Sequence, residues 1–195
     1  MKKIIAILLI VMMCVCVVGC KDDQQQQTAK KSASNVQKAT TALENTKCSE
    51  QAILLLLESN LDCHAVFYVT PLTSTTQQNS DGYLGVDKNM MADYNTLSEL
   101  VRNTYCKERA EELLNYPSKE TPLYKNVGGD LFVKPDVVKF EQYNIFWENP
   151  SVKIIKEDAN KCEFEITTEK DSKPYTVKSS AVYEDGKWLL TDIIC

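Results

Sequence analysis

The stretch from Val152 to Ile194 constrains the fold more than any other part of this chain. Val152 to Lys156 alternates, and Cys162 to Thr168 sets Cys, Phe and Ile against Glu, Glu and Thr. A period of two places one set of side chains on each face of a half-buried strand. Glu157–Lys161 reads as a turn and Tyr175 to Tyr183 as the next strand. Asp185-Gly186 is a two-residue hairpin turn, because both positions tolerate positive φ. Lys187 to Ile194, carrying Trp188, closes an antiparallel meander.

Upstream the pattern changes to that of helices. Ser49-Glu50-Gln51 is a helix start, with acid at the positive end of the dipole. Ala52 to Leu57 and Leu61 make this helix apolar around most of its circumference, which predicts a place at the centre of the core. Cys63 to Thr70 reads as the helix end or a short strand, stopped by Pro71. Thr73 to Gly82 reads as a polar loop and Tyr83 to Asp87 as a short strand. Thr96-Leu97-Ser98-Glu99 has the form of a capping box. It opens a helix with Leu97, Leu100, Val101 and Tyr105 on one face. Ala110, Leu113 and Leu114 continue that stripe after a break near Cys106, and Tyr116-Pro117-Ser118 ends it. Leu123 to Asn126 and Leu131 to Val133 flank Gly128-Gly129-Asp130 as a hairpin. The expected class is α+β, with N-terminal helices packed on a C-terminal antiparallel β-meander, as in a cystatin-like fold.

The N-terminus predicts export. Lys2 and Lys3 precede an unbroken apolar run from Ile4 to Val18. At ~1.5 Å per residue this run spans only ~22 Å, less than the ~30 Å hydrocarbon core. It therefore reads as a signal peptide rather than a spanning helix. Val17-Val18-Gly19-Cys20 matches the lipobox of bacterial lipoproteins: a small residue before the cut and a thiol after it. The expected organisation is a signal over 1–19, a lipidated Cys20 opening a polar tether over 20–47, and one domain over 48–195. The tether contains Gln24 to Gln27 and almost no apolar surface to offset the entropy of ordering. The expected location is the extracytoplasmic face of a cell membrane, in a Gram-positive setting, held by the lipid alone.

The formal charge of −5 becomes −7 when Lys2 and Lys3 leave with the signal. Such an acidic chain argues against nucleic acid as a partner, since phosphate contacts need clustered Lys and Arg. Cys48, Cys63, Cys106, Cys162 and Cys195 remain in the domain, an odd number that allows at most two disulfides. No CxxC pair or zinc spacing occurs, and no metal or other cofactor is expected. A Cys162–Cys195 pairing is disfavoured if the two lie near opposite ends of the terminal sheet. The connectivity is otherwise open.

His64 is the only histidine. Cys63 beside it resembles a nucleophile and base, but sequence neighbours on a helix or strand point apart. Glu163 with Glu165, and Glu108 with Glu111 or Glu112, read as solvated charged faces. Gly128-Gly129 lacks the Lys-Ser/Thr and the helix of a phosphate loop. Trp147 and Trp188 read as packing residues. With no catalytic set to assemble, the chain is expected not to be an enzyme.

An ordered series of motifs does resemble a known family. A Leu-rich helix leads into Val66-Phe67-Tyr68-Val69-Thr70-Pro71-Leu72, followed by Asp81-Gly82-Tyr83. The Leu97-Ser98-Glu99-Leu100 helix ends in Thr104-Tyr105, with Ala110, Leu113 and Leu114 beyond. Leu123-Tyr124 precedes Gly129-Asp130-Leu131-Phe132-Val133. Trp147, Val152-Lys153-Ile154-Ile155 and Glu184-Asp185-Gly186-Lys187-Trp188 complete the order. Over about residues 49–194 this is similar to the IseA-type DL-endopeptidase inhibitors, extracellular proteins of Gram-positive bacteria. The resemblance implies an IseA-like fold. It also implies a non-catalytic partner of peptidoglycan DL-endopeptidases, whose cysteine-containing cleft a protruding inhibitor loop would block. The irregular stretch from Lys134 to Phe146 is the expected loop. Pro135 breaks strand pairing there, and Asp136, Glu141 and Tyr143 are the expected partner-binding residues. The alternative is a surface lipoprotein binding a small ligand in a concave sheet lined by Phe164, Tyr175 and Trp188. An enzyme on that fold, with Asp or Glu as base, ranks last.

Overall fold

The alternation in the terminal third becomes a four-stranded antiparallel meander. Its strands are β5 (Ser151–Glu157), β6 (Lys161–Lys170), β7 (Lys173–Glu184) and β8 (Lys187–Leu190), hydrogen-bonded in that order. Cys162, Phe164, Ile166 and Thr168 of β6 are buried, while Glu163, Glu165 and Thr167 between them face outward. Asp185 and Gly186 both take positive φ, so the β7–β8 turn forms as its sequence demands. The last strand is shorter than the sequence suggests. It ends at Leu190, although the Thr191 N–H still donates to the Ser180 carbonyl of the preceding strand at 3.0 Å. The computed structural model describes residues 47–140, 147, 149–170 and 173–195. The expected signal, Cys20 and the tether up to residue 46 lie outside these residues, as do Glu141 and Tyr143.

Ahead of the meander stands a second antiparallel sheet. Its strands are β1 (Ser74–Gln78), β2 (Leu84–Val86), β3 (Tyr124–Val127) and β4 (Asp130–Val133), in the spatial order β1-β2-β4-β3. The β3–β4 hairpin turns on Gly128 and Gly129, both at positive φ, as expected. β1 corrects the reading of Thr73 to Gly82 as a loop. This edge strand is mostly exposed, so neither face carries the apolar alternation that marks a strand in sequence. Its pairing with β2 depends on Gly85, where an added Cβ would lie 3.1 Å from Thr75 Oγ1.

Among the described residues, three α-helices complete the α+β fold: α1 (Glu50–His64), α2 (Tyr94–Thr104) and α3 (Lys107–Leu114). Ser49 caps α1 by accepting from the Ala52 N–H. Cys63 to Thr70 resolves to a helical end: a π-helical turn over Ala65–Val69 continues α1. The helix buries only one stripe, Ile53, Leu57, Asn60 and Cys63, and leaves Leu55 56% exposed. Its all-round apolar sequence overstated its burial, because only one side meets the sheets. Glu50–Val69 is also long and apolar enough to cross a membrane, a property shared by core helices.

The start of α2 also corrects the sequence. The cap is Asp93, not Thr96: the Asp93 carboxylate accepts from the Thr96 N–H and hydroxyl, both at 2.8 Å. These bonds hold the Asp93 carboxyl below the usual carboxylate range. Asp93→Ala should lower the melting temperature by roughly 2–4 °C at pH 7. A depressed pKa stabilises above the ordinary carboxylate value near ~4 and is lost as pH falls through the lower folded value. The difference between Asp93→Ala and wild type in thermal melts should therefore shrink from pH 5 toward pH 2.

Between α2 and α3 the break expected near Cys106 docks the helices on the meander. Tyr105 is extended and forms a parallel bridge to Leu190, and the Cys106 N–H donates to the Leu190 carbonyl at 2.9 Å. This link covers part of the outer edge of β8. One hydrophobic cluster runs through helices and both sheets, including Ile53, Phe67, Leu97, Leu113, Val133, Phe164 and Leu190.

Candidate functional site

The expected loop begins where β4 runs out. Lys134 is followed by a 3₁₀ turn over Pro135–Val137, and Pro135 at its start supplies no N–H for further pairing. Asp136 is exposed on this turn, while Val137, Val138 and Phe140 pack against the core. Trp147 also packs against the core. Of the three expected partner-binding residues, only Asp136 is among the described residues.

Asp136 lies near a polar cluster built from three parts of the first sheet. Lys125 Nζ of β3 pairs with Asp81 at 2.5 Å and lies 5.3 Å from the centre of the Tyr83 ring. Lys134 Nζ donates to the Asp81 carbonyl at 3.1 Å and lies 5.5 Å from the same ring centre. The Tyr83 hydroxyl donates to the Pro122 carbonyl at 2.8 Å. Gly82, at positive φ, makes the bend between Asp81 and Tyr83. Lys125 holds the Asp81 carboxyl below its usual range. Burial raises the Tyr83 pKa, and the Asp81 and Asp136 charges add to that shift. The result is a Tyr ring with two ammonium groups close to it and carboxylates nearby. Asp81-Gly82-Tyr83 carried part of the family resemblance, but its link to Asp136 depends on the approach of β2, β3 and β4.

The other candidates have structural surroundings. Cys63 is buried with its sulfur 4.0 Å from Thr104 Oγ1, and burial pushes its thiol up to about 12. The His64 ring stacks on Tyr68, with centroids 5.5 Å apart. The two side chains follow different surfaces, so they do not form a nucleophile–base pair. Glu163 pairs with Lys161, Glu165 with Lys178, Glu111 with Arg102, and Glu112 with Arg109. Among the described residues, no group of three His, Cys, Asp or Glu side chains could hold a metal ion.

By strand register Phe164, Tyr175 and Trp188 share one face of the meander, and two of them are core residues. Phe164 is 1% and Trp188 7% exposed, both within the core, and Trp188 contacts the Tyr183 ring at 5.4 Å between centroids. Tyr175 sits further along β7, opposite Thr168. An open depression of about 450 Å³ on the meander touches Phe164, but its wall is largely polar, with Lys161, Glu163, Lys178 and Ser180. A groove of about 270 Å³ lies beside β1, between Thr75, Gln77, Asp87, Lys88 and Asp130. Comparison with protein-family models and with curated proteins finds no match to this chain.

Proposed function

We propose that this chain is a lipid-anchored, extracytoplasmic binding protein that inhibits peptidoglycan DL-endopeptidases by occupying their cleft. The observation carrying this reading is the exposed Asp136 turn beside the Asp81–Tyr83 cluster. It falls within the span whose ordered motifs resemble the IseA-type inhibitors. The burial of Phe164 and Trp188 in the core also favours a binding surface over an aromatic ligand pocket. Blocking a cleft asks for shape and charge, and for no catalytic residue in the blocker. Cys20 would hold the domain at the membrane, and the segment from 20 to 47 would let it reach the wall.

The test is peptidoglycan hydrolysis by DL-endopeptidases of the host with the purified protein added. Micromolar protein should at least halve the rate. Asp136→Lys should weaken inhibition about fivefold, as loss of a contact worth ~1 kcal/mol would. Raising salt from ~50 to ~300 mM should weaken it further if an acidic surface steers the encounter. No inhibition of any such enzyme at micromolar protein would sink the reading.

A further inference from the structure

Two buried thiols meet where the described chain first becomes buried. Lys47 is exposed, and Cys48, directly before α1, is almost wholly removed from solvent. The Cys48 N–H donates to Glu157 Oε1 at 2.7 Å, across 109 positions of sequence. Glu157 ends β5, and its cross-strand partner is Cys162, fully buried on the inward face of β6. Through Glu157 the two buried cysteines come close together in one core cluster, near enough for the charge of one to act on the other. The other described cysteines stand elsewhere: Cys63 faces Thr104, Cys106 precedes α3, and Cys195 is exposed.

We propose that Cys48 and Cys162 form an oxidation site that closes to an intramolecular disulfide, stapling the chain just before α1 to the meander. A disulfide needs Cα atoms within ~7 Å, and Glu157, bonded to the Cys48 N–H and paired across the strands with Cys162, brings the two segments together. The oxidant is a disulfide, carried by an oxidoreductase or a small thiol compound. The step begins from the Cys162 thiolate. It attacks the oxidant's S–S bond, releasing one thiolate. Cys48, deprotonated in turn, attacks the mixed disulfide at the Cys162 sulfur and releases the second. Two protons leave the protein thiols, and the oxidant gains two electrons to become two thiols.

Two properties follow. Burial raises both thiols above the ordinary cysteine range, with the Glu157 charge adding to the shift. Closure is therefore slow at neutral pH and speeds up as pH rises. Any pull on the segment before Cys48 reaches this residue first, and the bond passes that load to β6 rather than to the first turn of α1. The inference is independent of the inhibitor reading.

The test uses the full chain in detergent, fully reduced and then equilibrated with oxidised glutathione, denatured and alkylated. Mass analysis should show two thiols protected and a proteolytic peptide joining Cys48 to Cys162. The oxidised protein should melt roughly 5–10 °C above the reduced form, because the closed loop is long. Reduction should reverse the gain. Cys48→Ala and Cys162→Ala should each abolish the cross-link, and the wild-type comparison stands even if either variant folds poorly. Full alkylation after oxidation overturns the proposal. So does a cross-link between any other pair, a stable glutathione adduct in its place, or a cross-link that leaves melting unchanged.

Discussion

Replacing Asn60 by alanine should remove about 3–5 kcal/mol of folding stability, a large part of what a domain of this size has. Asn60 is the polar member of the buried α1 stripe and is wholly removed from solvent. Its Nδ2 donates to the Ile194 carbonyl at 2.7 Å. Its Oδ1 accepts from the Ile194 N–H and the Tyr105 hydroxyl, both at 2.9 Å. One side chain thus ties α1 to the segment after β8 and to the α2–α3 link. Alanine would leave three buried polar groups without a partner, which costs more than the bonds contribute when made. Urea unfolding followed by tryptophan fluorescence should show a lower midpoint with little change in slope. Hydrogen exchange at the Ile194 amide should quicken in the same variant. A cost below ~1 kcal/mol would show that the tail is held by other contacts. Burial also pushes the Tyr105 hydroxyl far above its ordinary value, so it stays a donor across the physiological range. A raised folded pKa contributes its full stability below the unfolded value near ~10. Stability should therefore decline as pH rises beyond that.

Phe164→Ala should cost about 3–5 kcal/mol and weaken the meander at its centre. Phe164 lies between Ile154 of β5 and Ser179 of β7, with its ring in the common core. Removing the ring leaves a cavity that strands on both sides can collapse into only partly. Phe164→Leu keeps most of the volume and should cost only about 1–2 kcal/mol. The same pair of variants separates the two functional readings. A ligand-pocket aromatic would alter binding with little effect on stability, whereas a core aromatic does the opposite. A loss of less than ~1 kcal/mol in the alanine variant would return Phe164 to the pocket.

The elements legible in sequence are those whose local chemistry decides their geometry. β6 announces itself by period-two burial, and Asp185-Gly186 and Gly128-Gly129 announce their turns through backbone freedom that few other residues have. The helix break at Cys106 could be seen for a similar reason, as an interruption of the apolar stripe. β1 left no such trace, because an exposed edge strand is defined by backbone pairing with β2 rather than by a buried face. Asp93 was hidden by Thr96, whose hydroxyl donates to the aspartate instead of capping the helix itself. Asn60 looked like an ordinary polar residue on a Leu-rich helix, since its partners Tyr105 and Ile194 lie 45 and 134 positions away in sequence. Of the candidate site, the turn at Pro135 and the exposure of Asp136 were readable. The two lysines around Tyr83 were not, because strands distant in sequence deliver them.

The sequence by itself determined the α+β class, the antiparallel meander and its turns. These follow from periodicity and from residues with special backbone or chemical requirements, which act over a few neighbours. Only the tertiary structure decided where the five domain cysteines stand, and that Cys48 is buried beside the Glu157–Cys162 pair while Cys195 is exposed. It also decided that Phe164 and Trp188 fill the core. The reason is that side-chain meetings across distant elements depend on how strands stack in register, and no local pattern carries that register.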